Sequence, residues 1–134
     1  MSSIRKASKL EAKSVSGQQQ LLAEVQSLLK GIERAERTIT DLKAELEFVN
    51  LKHAVRNTTQ EDIDYLTALL KCAHKRLNWE KQVTAVKKRA PLVMESVTAM
   101  MQDPNHPPNE ETCATLLNVL QQVKTAMERL ERAA

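Results

Sequence analysis

The sequence predicts an all-α protein, and both its composition and its apolar spacing indicate this class. Two Gly, four Pro and three aromatic residues leave little material for turns or strands in 134 residues. Ala, Leu, Glu, Lys, Gln and Arg dominate, and these residues favour helices. From Leu21 to Val49, apolar residues recur at alternating spacings of three and four over four heptads. A helix with such a narrow apolar seam must bury it against other helices.

The first helix is predicted to begin after a short basic segment. The positive residues of that segment are Arg5, Lys6, Lys9 and Lys13. Positive charge at a helix N-terminus opposes the helix dipole, and Ser16 and Gln19 have the spacing of a capping box. We therefore predict a basic N-terminal extension at residues 1–15 and a first helix at about 17–55. A continuous helix from residue 3 is the alternative.

Gly31 interrupts the first helix beside its seam, at a cost of ~1 kcal/mol relative to Ala. This position predicts the close approach of a neighbouring helix. A polar turn follows at residues 56–62, where Thr59 and Asp62 give a helix-start signal.

The second helix is predicted at about 60–101, with two apolar seams in different phases. The first seam is Ile63, Leu66, Leu70, Ala73 and Leu77, and the second is Trp79, Val83, Val86, Ala90, Val93, Val97 and Met100. The change of phase between Leu77 and Trp79 indicates that the neighbours of the helix change there. Pro91 removes one backbone hydrogen bond, so we expect a kink or a short break near 89–91.

The third helix is predicted at about 110–132. It follows a Pro- and Asn-rich loop at residues 103–109, and Asn109 has the position of an N-cap. Its apolar seam is Cys113, Leu116, Leu120, Val123, Met127 and Leu130.

Residues 16–134 are therefore predicted to form a single helical domain, a three-helix antiparallel bundle extended by a two-helix antiparallel coiled-coil hairpin. The turn after the first helix pairs residues whose numbers sum to about 115, and the third helix then ends near the level of Trp79. The bundle consists of 17–36, 79–101 and 110–132, and the hairpin of 37–78. A parallel dimer through Val25, Ile32 and Ile39 of the first helix is the alternative, because β-branched residues at one seam position favour it.

The sequence offers no catalytic constellation. His53, His74 and His106 are scattered, Cys72 and Cys113 lack metal-ligand spacing, and no Gly-rich phosphate loop occurs. Cys72 and His74 are two residues apart and so point to opposite sides of a helix. We predict a protein that is not an enzyme, with no cofactor and no metal site.

The positive residues form clusters that could bind a partner. They are Arg5, Lys6, Lys9, Lys13, Lys52, Arg56, Lys71, Lys75, Arg76, Lys81, Lys87, Lys88 and Arg89. At 100° per residue, those from Lys71 to Arg89 fall on three faces of the second helix, which is more typical of a solvated surface than of a phosphate-tracking stripe. The alternative interpretation is binding of an acidic polymer, either a microtubule or nucleic acid.

The function that the sequence favours is a non-catalytic helical interaction module or scaffold subunit that binds other proteins through coiled-coil surfaces. Self-association through the sides of the thin hairpin is a further expectation. No apolar run is long enough to insert into a membrane, and two isolated thiols are typical of a reducing compartment. We therefore expect an intracellular protein, cytoplasmic or nuclear.

The hairpin can be tested by an engineered disulfide between positions 42 and 73, in a background with Cys72 and Cys113 changed to Ala. We expect Leu42→Cys and Ala73→Cys to close within one chain, because the two positions lie at matching levels. Non-reducing electrophoresis would show a monomer of altered mobility. Ready formation of a covalent dimer by Ile39→Cys alone would instead support the parallel pair.

Overall fold

The computed structural model describes the backbone of residues 2–55 and 58–133, and the side chains of 17–54 and 58–133. It contains three helices: α1 (Ser2–Val55), α2 (Thr59–Met101) and α3 (Glu110–Ala133). No strand occurs in these ranges, so the all-α class is confirmed. None of the described helices is both long enough and apolar enough to cross a membrane.

The start of α1 differs from the prediction. The helix begins at Ser2 and runs through Ser16 and Gly17, so the predicted helix start near Gly17 is wrong and the continuous alternative is correct. Extending an existing helix adds one hydrogen bond per residue without a new nucleus, whereas unfavourable charge near a terminus costs only about 0.3–1 kcal/mol. The division into a basic extension at 1–15 and a domain at 16–134 stays a prediction.

The starts of α2 and α3 are fixed by side-chain caps. Thr58, one residue before the predicted Thr59, accepts a hydrogen bond from the backbone N–H of Glu61, and Glu61 accepts from the backbone N–H of Thr58. Asn109 Oδ1 accepts from the backbone N–H of Thr112 at 2.7 Å, which confirms the predicted cap of α3. Each cap satisfies backbone donors that the first turn of a helix cannot satisfy.

α2 continues through Pro91, so the predicted short break does not occur. Proline removes one backbone hydrogen bond, to the carbonyl four residues earlier at Lys87. Both Pro91 and Lys87 are exposed, so water can satisfy that carbonyl at little cost. A kink without a break stays a prediction.

α1 is the central helix, because its backbone lies close to both α2 and α3. Contacts of Asn50 with Tyr65 and of Glu45 with Lys75 show that α1 and α2 run antiparallel. Leu42 and Ala73, which the sequence places at matching levels, line one cavity. In the described part of the chain, α2 and α3 meet through side chains such as Met101 and Cys113, without close backbone contact.

α3 runs parallel to α1 and reaches slightly beyond the predicted level. Arg129 pairs with Glu36 at 3.0 Å, and Lys43 donates a hydrogen bond to the backbone carbonyl of Ala133. Glu36 lies at the level of Trp79, so α3 passes Trp79 by about one turn. Trp79, the first residue of the predicted second seam of α2, is 5% exposed, as expected of a seam residue inside the bundle.

The buried core joins all three helices. From α1 it contains Leu21, Val25, Leu28, Leu29, Ile32, Ala35, Ile39 and Leu42, from α2 Cys72, Trp79, Val86, Val93 and Val97, and from α3 Leu116, Val119, Val123, Ala126 and Leu130. Val25, Ile32 and Ile39 are therefore covered within one chain. A parallel dimer through α1 would have to displace α2 and α3 from them.

The predicted first seam of α2 is wrong. Ile63, Leu66, Leu70 and Leu77 are 52–64% exposed, and Ala73 is also exposed. The residues that face α1 are instead Tyr65, Leu69 and Cys72, which we call the inner seam. Cys72 lies seven residues before Trp79 and Tyr65 seven residues before Cys72, so the inner seam continues the Trp79 seam without a change of phase.

Gly31 lies against α2, but the contact leaves room for a methyl group. A Cβ at Gly31 would lie 3.6 Å from Val86 Cγ2, an ordinary van der Waals distance. The close approach is therefore real, yet it does not require glycine.

We predict that Gly31→Ala raises the free energy of unfolding by about 1 kcal/mol, because Ala loses less conformational entropy than Gly in a helix interior. Urea denaturation followed by circular dichroism measures the change. Gly17→Ala is the matched control, since a Cβ there meets no atom within 4 Å. A loss of stability specific to Gly31→Ala would show that Val86 packs more tightly than this geometry allows.

Candidate functional site

The most distinctive surface of the described chain is an apolar stripe on α2. The stripe consists of Ile63, Leu66, Leu70, Ala73 and Leu77, and we call it the outer stripe. Leu66 is 64% exposed and Leu70 is 60% exposed. Single exposed apolar residues are ordinary, but five at alternating spacings of three and four form a second coiled-coil seam.

The outer stripe is exposed because α2 carries two seams and only one can face α1. At 100° per residue, the centre of the outer stripe lies about 110° around the helix from the centre of the inner seam. The inner seam includes Tyr65, whose hydroxyl donates to Asn50 Oδ1 at 2.7 Å, and Cys72, which is buried. α1 therefore occupies one side of α2 and leaves the outer stripe in solvent.

On the side nearer the inner seam, the outer stripe is flanked by Asp62, Leu69 and Arg76, which occupy the same heptad position. Two of these three residues are charged. Asp62 lies 3.0 Å from His53 Nε2, and its side chain is 56% exposed. Arg76 lies 3.7 Å from Glu80 and 5.6 Å from the Trp79 ring centroid, and its side chain is 55% exposed. Both charges are positioned by their own chain and remain accessible to another molecule.

The opposite flank of the outer stripe carries Thr67, His74 and Lys81, all exposed. Lys81 is the only formal charge at these three positions. The two flanks are therefore different, and this difference restricts the direction in which another helix can lie along the stripe.

α3 leaves much of this part of α2 uncovered. α3 ends where Ala133 accepts from Lys43, and Glu45, two residues further along α1, is paired with Lys75. Ile63, Leu66 and Leu70 therefore lie beyond the end of α3, towards the turn. Nothing in the described chain covers them.

The region where α1 ends and α2 begins has a second, smaller feature. The rings of His53 and Tyr65 stack with centroids 3.8 Å apart at an interplanar angle of 16°. Beside them lies an open cavity of ≈ 230 Å³ lined by Phe48, Val49, Lys52, His53, Glu61, Asp64, Tyr65 and Ala68. Phe48 is 66% exposed. The stack fixes the turn end, and the cavity opens on the side of α2 away from Asp62.

Those of the predicted basic residues whose side chains the structure describes do not come together in one patch. The side chains of Arg5, Lys6, Lys9, Lys13 and Arg56 lie outside the described residues. Lys52, Lys71, Lys81, Lys87, Lys88 and Arg89 are exposed and, at 100° per residue, those on α2 point in several directions. Lys75 and Arg76 lie beside acidic side chains of their own chain.

The ion pair of Lys75 connects α1 and α2. Lys75 Nζ lies 2.5 Å from Glu45 Oε2, and this hydrogen bond raises the pKa of the Lys75 ammonium above its ordinary value. Both side chains are well exposed, so water and salt screen the pair and its contribution to stability is small.

The described residues hold no cluster of three His, Cys, Asp or Glu side chains that could bind a metal ion. Cys72 is buried and Cys113 is partly buried, and both are free thiols. His74 is exposed, whereas the neighbouring Cys72 is not, in keeping with their opposite directions on the helix.

The five residues of the outer stripe are recognisable as a seam in the sequence, but the partner predicted for them is wrong. The missed signal is the unbroken seven-residue spacing of Tyr65, Cys72, Trp79, Val86 and Val93. That spacing marks the face that a continuous helix keeps towards α1 along its whole length.

Comparison with known proteins adds no family assignment. Neither the family models nor the curated proteins nor the solved structures gave a match to the chain.

Proposed function

We propose that this chain is a non-catalytic helical interaction module that binds a protein partner through the outer stripe. In this proposal α2 supplies one helix of an intermolecular coiled coil, and the partner supplies an amphipathic helix with an apolar seam of its own. The other part of the chain holds α2 in place.

The observation that carries the proposal is that the inner seam packs against α1, with Cys72 buried and Tyr65 and Leu69 partly buried, while the outer stripe is exposed. Leu66 and Leu70 each leave most of a large apolar side chain in water, where burial would contribute about 1.5–3 kcal/mol per side chain. A helix that packs along the stripe would bury these side chains and Ile63 together. Surfaces of this kind mark interaction sites more often than they mark solvated faces.

The proposal includes the finer architecture, in which a three-helix antiparallel bundle is extended by a two-helix hairpin. The Arg129–Glu36 pair and the Lys43–Ala133 hydrogen bond support a third helix that ends part of the way along α1. The Glu45–Lys75 and Asn50–Tyr65 contacts support two helices alone beyond that point. The projecting part presents the outer stripe away from the bundle.

Binding of a microtubule or nucleic acid through the basic residues is the second candidate, and the described geometry gives it less support. The positive side chains point in several directions on α2, and two of them lie beside carboxylates. Phosphate-tracking surfaces need a continuous positive stripe.

Capture from cell lysate by the immobilised chain, with and without a stripe variant, tests the proposal. The variant is Leu66→Glu with Leu70→Glu, and the matched control is Leu92→Glu with Leu117→Glu, which changes two other exposed leucines. We expect specific proteins, identified by mass spectrometry, to be retained by the wild type and the control and lost from the stripe variant. Circular dichroism should show all three chains equally helical, since each substituted residue is exposed.

The dependence on salt separates the two candidates. Capture through the outer stripe should persist at high ionic strength, because apolar burial is not screened. Capture that is equal for the wild type and the stripe variant and falls steeply with salt would contradict the proposal and support binding of an acidic polymer.

A further inference from the structure

We propose that the outer stripe binds the outer stripe of a second copy of this chain, with the two α2 helices antiparallel. This inference rests on the proposed function and names the partner helix. It follows because the stripe and its flanking charges are self-complementary: a twofold axis brings apolar residues against apolar residues and opposite charges together.

The apolar residues of the stripe fit each other when the paired residue numbers sum to about 136. Leu66 of one copy then lies against Leu70 of the second copy, and Ile63 lies against Ala73. Each pair occurs twice because of the twofold axis, so four apolar layers form. Ala73 leaves room for the β-branched Ile63, and no charged residue enters a layer.

The flanking residues in this register have opposite charges. Asp62 of one copy lies beside Arg76 of the second copy, twice, and the third flanking position, the uncharged Leu69, falls near the axis. The side chains of Asp62 and Arg76 are both more than half exposed, so each can reach another molecule while it keeps its neighbour within the chain. Charge complementarity at flanking positions selects the partner and its direction.

A parallel pair of the same helices is disfavoured by charge. In a parallel coiled coil the flanking position of Arg76 pairs with the position five residues further along the second copy, which is Lys81. Two positive charges at that place repel each other. The antiparallel direction replaces this repulsion with two attractive pairs.

The antiparallel register also keeps most of each bundle outside the paired region. The two helices overlap only between about residues 59 and 77, so each turn end reaches towards the level of the other chain's Leu77. α3 of each copy lies mainly beyond this overlap, at the opposite end of the particle. The dimer is therefore an elongated particle with a bundle at each end.

Analytical ultracentrifugation of charge variants over a concentration series tests the register. Asp62→Arg alone places two positive side chains together at each flanking contact, and Arg76→Asp alone places two negative side chains there. We therefore expect each variant to dissociate at concentrations where the wild type is dimeric. An equimolar mixture of the two variants has opposite charges at both contacts. We expect the mixture to regain the wild-type dimer fraction.

Asp64→Arg is the matched control, because it makes the same charge change in the same turn of α2 on the side away from the outer stripe. It should leave the dimer unchanged. Restoration by mixing cannot arise from misfolding, since neither variant regains its own intramolecular contacts in the mixture.

Three results would overturn the inference. A wild-type chain that stays monomeric throughout the series excludes self-association, and if capture from lysate still depends on Leu66 and Leu70, the proposed function stands with a different partner helix. A dimer strengthened by Arg76→Asp alone indicates the parallel direction, where the new carboxylate at position 76 would attract Lys81. A dimer that neither the charge variants nor Leu66→Glu with Leu70→Glu weakens forms through another surface.

Discussion

The continuity of α2 is the constraint on which the rest of the structure depends. Trp79, Val86 and Val93 bury one face of this helix against α1 and α3. Because α2 is unbroken from Thr59 to Met101, the same face must continue towards the turn, where it presents Cys72 and Tyr65 to α1. Turning Leu66 and Leu70 inward would require a break or an over-twist of the helix near residue 78. The chain keeps the helix intact and exposes the leucines.

Local interactions near the start of α2 stabilise the arrangement in which Tyr65, and not Leu66, faces α1. Tyr65 is only partly buried, but its hydroxyl donates to Asn50 and its ring stacks on His53. His53 in turn lies 3.0 Å from Asp62, and the capping box at Thr58 fixes the start of α2. α1 and α2 are therefore held together by specific polar contacts near Thr58 and by apolar packing nearer Trp79. These contacts keep α2 against α1 while the outer stripe stays exposed.

The sequence was sufficient for the helical class, the approximate ends of α2 and α3, the antiparallel levels and the burial of Trp79, because periodicity and capping residues report these directly. It was not sufficient for the inward face of residues 63–77. The inner seam and the outer stripe both occur in this range. The outer stripe contains more leucine, but α1 covers the inner seam. Propensity and hydrophobicity therefore predict the wrong face as the one that packs on α1. The seven-residue spacing that extends back from Trp79 identifies the correct face. The helix starts at Ser2 and not near Gly17 because extension of an existing helix outweighs the weak penalty of positive charge near its N-terminus.

The proposed function rests on the exposed stripe. A helix that carries two seams can pack one seam within its own chain and the other against another chain. The helix then needs no rearrangement between the free and bound states. In the proposed dimer, the flanking Asp62 and Arg76 would add direction and selectivity to apolar packing that has none by itself. The paired surface would be short, which would place the dimer among the weaker and more reversible interfaces.

Thiol labelling of two single-cysteine chains at high dilution tests the face assignment most directly. One chain keeps Cys72 with Cys113→Ala, and the other carries Leu70→Cys with Cys72→Ala and Cys113→Ala. We predict that a maleimide labels the thiol at position 70 nearly as fast as in the denatured chain, while Cys72 reacts far more slowly because it is buried against α1. Rapid labelling of Cys72 together with protection of the thiol at position 70 would contradict this assignment, since it would place the outer stripe against α1.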